Sequence, residues 1–180
     1  MSLELRDARR SATDRAWLRN VYPLYLHDLS AFDSAYYQLD ARGNWQPDHL
    51  PSWLGDDHDL PLVIAVAGRR VGFALVNQAP SPHIMAGCDF RLSEFFVLRR
   101  ERRSGIGTLA AHAVFDLHPG RWEVSELVRN EHAIRFWRRV IGERTSGRLV
   151  ETANGEELRQ TFRSRGAAAR RKAGSLTGKP

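Results

Sequence analysis

Three groups of residues in this 180-residue chain could do chemistry, and all lie between positions 94 and 137. The first is Arg102-x-x-Gly105-x-Gly107, with Arg103, Ser104 and Ile106 in the intervening positions and Thr108 just after. It follows the bulky, β-prone run Glu94–Val97 and opens a stretch where Ile106, Leu109, Ala110, Ala113, Val114 and Leu117 recur on one helical face. A strand that feeds a helix through two glycines can hold phosphate. Glycine lets the backbone approach the ligand, the N–H groups of the first helical turn lack intrahelical acceptors, and the helix dipole favours an anion. The P-loop ending Gly-Lys-Ser/Thr does not fit, because Thr108 follows Gly107 directly. Nor are the three glycines and distant acid of a dinucleotide fingerprint present.

The second group is Glu94. A carboxylate held in a sheet beside Phe95 and Phe96 loses hydration, which raises its pKa and makes it a better base. The competing reading is a glutamate paired with a nearby arginine, and Asp89 and His83 are further candidates for the base. The third group is Arg129-Asn130-x-x-Ala133-x-x-Phe136-Trp137, in which Asn130 can cap a helix.

These residues need a scaffold, and the patterning supplies one. Leu3–Ala8 alternates as a first strand, and Ser11-x-x-Asp14 caps a helix from about Thr13. Pro23 is expected to break or kink that helix into two pieces. Residues 30–60 read as a long loop holding a short helix near Asp48–Leu54. A hairpin follows at Leu60–Ala67 and Val71–Asn77, then a strand over Cys88–Leu98. After the phosphate loop and its helix come a strand at Arg121–Val128, with Trp122, Val124, Glu126 and Val128 on one side, and a helix whose stripe is Ala133, Phe136, Trp137 and Val140. Weaker strands near Arg144–Glu151 and Glu157–Arg163 close the sheet.

Order and motifs together resemble the GNAT family of acyl-CoA-dependent N-acetyltransferases, over roughly residues 3–163. The family's pyrophosphate loop reads Gln/Arg-x-x-Gly-x-Gly/Ala after a strand, matched by Arg102, Gly105 and Gly107. Its later Asn-x-x-Ala-x-x-Phe-Tyr is matched by Asn130, Ala133 and Phe136, with Trp137 in the final place. The opening third, including Tyr25–Phe32, is similar to a bacterial subgroup of predicted acetyltransferases. The resemblance implies an α/β (α+β) domain over 1–163, with a mixed sheet of about 6–7 strands and about four helices, splayed between its fourth and fifth strands. It implies direct transfer of an acetyl group from acetyl-CoA, as cosubstrate, to a primary amine. Backbone N–H groups from Arg103 to Thr108 would hold the pyrophosphate, with Arg102 and Arg103 adding charge. Main chain at Phe96, Val97 and Leu98 would meet the oxyanion and pantetheine, Asn130 would bond pantetheine, and Glu94 would be the base. Arg99 and Arg100 would reach the 3′-phosphate or stay solvated. Indole cannot supply a proton as phenol does. Trp137 is therefore expected to pack beside the thioester, with the thiolate leaving unassisted or with help from Tyr36 or Tyr37. The alternative is a non-catalytic acyl-CoA-binding sensor or interaction module that kept the clamp and lost the acid.

Composition sets the remaining bounds. No apolar run approaches the ~18–20 residues of a membrane span, and the amino terminus lacks a signal core. One cysteine, Cys88, and seven scattered histidines point to no disulfide and no metal, in a cytoplasmic protein. Five of the six net positive charges lie in residues 165–180, which hold no acid, so 164–180 reads as a disordered, solubilising tail and no nucleic-acid partner is expected. Asp28, Asp33, Asp40, Asp48, Asp56, Asp57 and Asp59 face only Arg42 between residues 20 and 60, and would form an acidic lip for a cationic amine. Their competing role is in turns and caps. A homodimer is a candidate assembly, since family members often dimerise.

Overall fold

The computed structural model describes residues 2–55 and 57–166. In chain order the elements are β1 (Leu3–Asp7), α1 (Ala12–Ser30), a small ribbon of β2 (Gln38–Leu39) and β3 (Trp45–Gln46), α2 (Leu50–Gly55), β4 (Asp59–Val66) and β5 (Arg69–Gln78). They continue with β6 (Phe90–Val97), α3 (Ile106–Leu117), β7 (Gly120–Leu127), α4 (Glu131–Thr145), β8 (Val150–Asn154) and β9 (Glu157–Ser164). Seven strands form one sheet in the order β1-β4-β5-β6-β7-β9-β8. All neighbours are antiparallel except β6 and β7, which pair in parallel only from Phe90↔Trp122 to Leu92↔Val124. Beyond Leu92 the two strands separate, so Glu94–Val97 has β5 on one side and an open gap on the other. These are the fourth and fifth strands of the sheet, and the splay expected between them is present.

Each face of the sheet has its own core. Leu92, Trp122, Val124 and Phe162 pack against Val114 and Phe115 of α3 and against Trp137, Val140 and Ile141 of α4. On the other face Phe73, Leu75 and Phe96 pack against Leu18, Tyr22 and Leu26 of α1 and Trp53 of α2.

Several local expectations need correction. α1 is one continuous helix through Pro23; the proline is exposed, so the carbonyl it leaves without an N–H faces water. The buried stripe of α3 is Ile106, Ala110, Ala111, Val114 and Phe115, while Leu109 and Leu117 are exposed. Phe115 stacks edge-on against Trp122 and Phe162, which rotates the helix toward the larger ring. α4 runs through Arg144 to Thr145 and is ended by Ser146 in the left-handed region, so β8 begins only at Val150. β9 includes Ser164, whose hydroxyl donates to the Phe115 carbonyl at 2.6 Å, so the sheet extends into the expected tail. Residues 167–180 of that tail lie outside the described residues.

Candidate active site

The gap between β6 and β7 opens into a cleft of ≈ 600 Å³, whose lining includes Tyr25, Trp53, Glu94, Glu126, Asn130 and Trp137. A β-bulge decides where Glu94 points. Leu75 pairs with Glu94 but the next residue, Val76, pairs with Leu92, so Ser93 is the extra residue on β6. Strict alternation from Leu92 would send Glu94 toward α3 and α4. The bulge turns it to the other face, where the Tyr22 hydroxyl donates to Glu94 Oε1 at 3.0 Å. Ser93 itself donates to Asn77 Oδ1 at 2.6 Å, which holds the bulge in place.

Glu94 Oε2 is closed off from solvent and has no hydrogen-bond partner among the described residues. The residue as a whole is only half-buried, because its remaining surface lines the cleft. Burial pushes the carboxyl up to about 8, and the negative Asp48 adds to this, while the Tyr22 hydroxyl and the nearby Trp53 indole favour the charged form. Among the described residues no arginine pairs with Glu94, so the ion-pair reading fails. Asp89 lies elsewhere, accepting from the Arg121 N–H at 2.7 Å, whereas His83 lines the cleft.

The backbone donors expected at Phe96–Leu98 narrow to one. The Leu98 N–H is given to the Val71 carbonyl at 2.9 Å, and Phe96 sits opposite Phe73 in the same ladder. By alternation the Val97 N–H and carbonyl face the open gap. The carbonyl is taken by Arg102 Nε at 2.8 Å, so Val97 supplies the open N–H.

The phosphate loop is built by conformation. Gly105 is the helix N-cap at φ +84°, where a side chain is strained although nothing lies within 4 Å of a Cβ there. The first helical bond runs from the Leu109 N–H to the Gly105 carbonyl, which leaves the N–H groups of Ile106, Gly107 and Thr108 directed outward. A Cβ on Gly107 would sit 3.4 Å from the Phe136 ring, so α4 closes tightly over the start of α3. Ser104 Oγ donates to the Glu101 carbonyl at 2.6 Å and Arg103 turns outward at φ +64°. Arg102 does not reach into the loop. Its Nη2 binds Asp28 Oδ2 at 2.6 Å, Arg99 binds Asp28 Oδ1 at 2.7 Å, and the two arginines hold the partly buried carboxyl below its usual range although burial alone would raise it. A cation missed in the sequence is Arg139, whose Nη2 donates to Thr108 Oγ1 at 3.2 Å. It lies on the exposed face of α4, and only the packing of α4 on α3 brings it to the loop.

Asn130 Oδ1 accepts from the Ala133 N–H at 3.1 Å, capping α4 while the residue also lines the cleft. Trp137 is buried in a ring cluster with Phe95 at 5.2 Å and Phe136 at 4.8 Å, as packing requires. The acidic lip does not assemble. Asp28 is bound by two arginines, while Asp33, Asp40 and Asp48 accept from local backbone N–H groups. Of the seven aspartates only Asp59 lines the cleft, where it accepts from Asn77 at 2.7 Å; Asp56 lies outside the described residues.

A splayed mixed sheet with a glycine loop opening the helix after the fourth strand defines the class. The profile of the acetyltransferase (GNAT) family matches residues 18–142, and the chain belongs to that family, which makes it an N-acetyltransferase by family. Among solved structures it is similar to an acetyltransferase from Thermus thermophilus, at 14% identity and a TM-score of 0.62 over 91% of this chain and 97% of that one. PaiA N-acetyltransferase from Thermoplasma acidophilum, in complex with coenzyme A, matches at 13% identity and 0.53 over 91% and 99%. Mutant forms of the spermidine/spermine N-acetyltransferase SpeG from Vibrio cholerae match at 12% identity and 0.58 over 96% and 98%. No curated protein matches. Among the described residues no helix is long and apolar enough to cross a membrane.

Proposed function

We infer that the protein transfers an acetyl group from acetyl-CoA directly to a primary amine of a small molecule or peptide. The observation that carries this reading is the position of Glu94. A half-buried carboxylate, with no cation bound to it among the described residues, lines the cleft where β6 loses β7, on the same strand as the outward N–H of Val97 three residues further on. Acetyl-CoA would enter along α3, its pyrophosphate on the N–H groups of Ile106–Thr108 and its pantetheine beside Asn130. The thioester carbonyl would then lie at the gap, where the Val97 N–H meets the developing oxyanion. An amine arriving from the α1/α2 side would give its proton to ionised Glu94 as its nitrogen attacks. Coenzyme A in the PaiA structure, and the polyamines in the name of SpeG, support cosubstrate and acceptor chemistry of this kind.

Thermal unfolding with saturating acetyl-CoA tests the cosubstrate. Ligand at a hundred times its Kd adds roughly 2.7 kcal/mol, a rise of about 5–10 °C for a chain of this size. No rise refutes the clamp. A rise followed by thiol release with an amine supports the enzyme, and a rise with no release across mono-, di- and polyamines points instead to an acyl-CoA-binding sensor.

A further inference from the structure

Glu126 is the second carboxylate of the cleft, and sequence patterning places it only as one residue on a strand face. It lies two positions beyond Val124 on β7, so it shares the face of Trp122 and Val124, beneath α3 and α4. Glu94 projects from the opposite face, toward Tyr22 of α1 and Trp53 of α2. Both line the same cleft because the sheet is open between their strands.

Glu126 is only 6% exposed, and neither carboxyl oxygen has a hydrogen-bond partner on another of the described residues; its own backbone N–H gives a weaker pull toward the charged form. No cation among them neutralises it in contact. Arg138 of α4 favours its charged form from a distance, but that guanidinium is held by Glu151 of β8 through two bonds of 2.7 and 2.8 Å. The other charges facing it, Glu151 and Glu157 of β9, are of its own sign. A buried, unpartnered carboxylate in negative surroundings is costly, whereas a neutral carboxyl is a hydrogen-bond donor without an acceptor. Burial, reinforced by Glu151, pushes Glu126 up to about 8.

We propose that Glu126 is the proton donor to the departing thiolate of coenzyme A. The inference rests on the acetyl-transfer reading. The phosphate loop opens α3, so the cosubstrate lies on the α3/α4 side of the gap and its sulfur leaves toward Glu126, while the amine comes from the Glu94 side. Trp137 on that wall has no acidic proton to give. The amine nitrogen attacks the thioester carbon, the carbon–sulfur bond breaks, and its electron pair takes the Glu126 proton. Glu94 takes the proton from nitrogen. Both carboxyls then exchange with solvent as coenzyme A departs, Glu126 regaining a proton and Glu94 losing one.

The test needs no acceptor. Calorimetry measures the Kd of coenzyme A and of acetyl-CoA at pH 7 and 9.5 for wild type, Glu126→Gln and Glu126→Leu. Acetyl-CoA controls for every group except the thiol. In wild type, raising the pH ionises both the thiol and Glu126, so the ratio of the coenzyme A Kd to the acetyl-CoA Kd should rise about tenfold or more. In both variants the rise should be clearly smaller, because the thiolate there loses hydration but meets no carboxylate at position 126. The leucine variant guards against a folding artefact of the amide. An equal rise in wild type and variants, or a flat ratio in wild type, overturns the assignment. Failure of both ligands to bind wild type overturns the acetyl-CoA reading itself, which distinguishes the two failures.

Discussion

On the α3/α4 side of the cleft, the candidate phosphate loop is a single run of chain from Val97 to Thr108, shaped by the left-handed Gly105 and anchored by Arg102 on Asp28. On the α1/α2 side, the surroundings of Glu94 come from separate elements. Tyr22 lies on α1, Trp53 on α2, Asn77 on β5 and the bulged Ser93 on β6. In the proposed reaction the first side would bind with backbone held in shape by one glycine, and the second would act through side chains set by tertiary packing. Variants should therefore separate cosubstrate affinity from turnover.

The largest effect is expected from Gly105→Val. A β-branched residue at φ +84° is strained by about 1–2 kcal/mol, and relief of the strain redirects the outward N–H groups. Acetyl-CoA affinity should fall about 100-fold or more, abolishing the thermal shift. A retained shift would mean that the loop is not the clamp.

Glu94→Gln should lower kcat by about 10²–10³-fold and leave acetyl-CoA affinity unchanged. In wild type the pH–rate profile should be a bell with its maximum near pH 8, rising as Glu94 ionises to act and falling as Glu126 loses its proton, both being raised to about 8. Stability carries the opposite sign. The unfolded chain releases this proton near 4.5 and the folded chain holds it to about 8, so the contribution is full below pH 4.5 and is lost as pH rises through 8. Thermal unfolding should therefore fall less between pH 5 and 9 in Glu94→Gln than in wild type. An altered acetyl-CoA Kd in this variant would break the division between the two sides.

Asp28→Asn sharpens it. Asp28 sits near the end of α1, yet its bonds run to Arg99 and Arg102 of the loop. Its loss should raise the KM for acetyl-CoA about 3–10-fold and leave the acceptor KM alone. A change confined to the acceptor would restore the acidic lip.

What could be read in the sequence divides along the same line. The loop was legible because Arg102, Gly105 and Gly107 are close in the chain and their strand and helix carry strong periodicity. Glu94 was legible as a candidate, but not its partners. Tyr22 lies 72 residues away, and the Ser93 bulge that turns the carboxyl shifts strand register, which alternation cannot reveal. The aspartates misled for the opposite reason. Their composition suggested a field, whereas Asp33, Asp40 and Asp48 sit in turns or caps and the charge of Asp28 is taken up by arginines. Glu126 was visible only as a strand position, because its lack of a partner is a property of packing.

The smallest effect should come from Arg139→Gln, which asks whether the α3/α4 side extends beyond its continuous loop. The guanidinium is more than half exposed, shares Glu143 at 3.3 Å and lies 5.7 Å from the centre of the Phe136 ring. Phe136 in turn abuts Gly107, so α4 places this cation at the first turn of α3 through packing alone. An exposed charge near a phosphate acts through a screened field, so acetyl-CoA affinity should fall about 2–3-fold at low ionic strength and be unchanged at about 0.5 M salt. Equal losses at both salt levels would indicate instead that the substitution disturbs the α3–α4 contact. No loss at low salt would confine the clamp to the loop, making its affinity a property of backbone geometry on one stretch of chain.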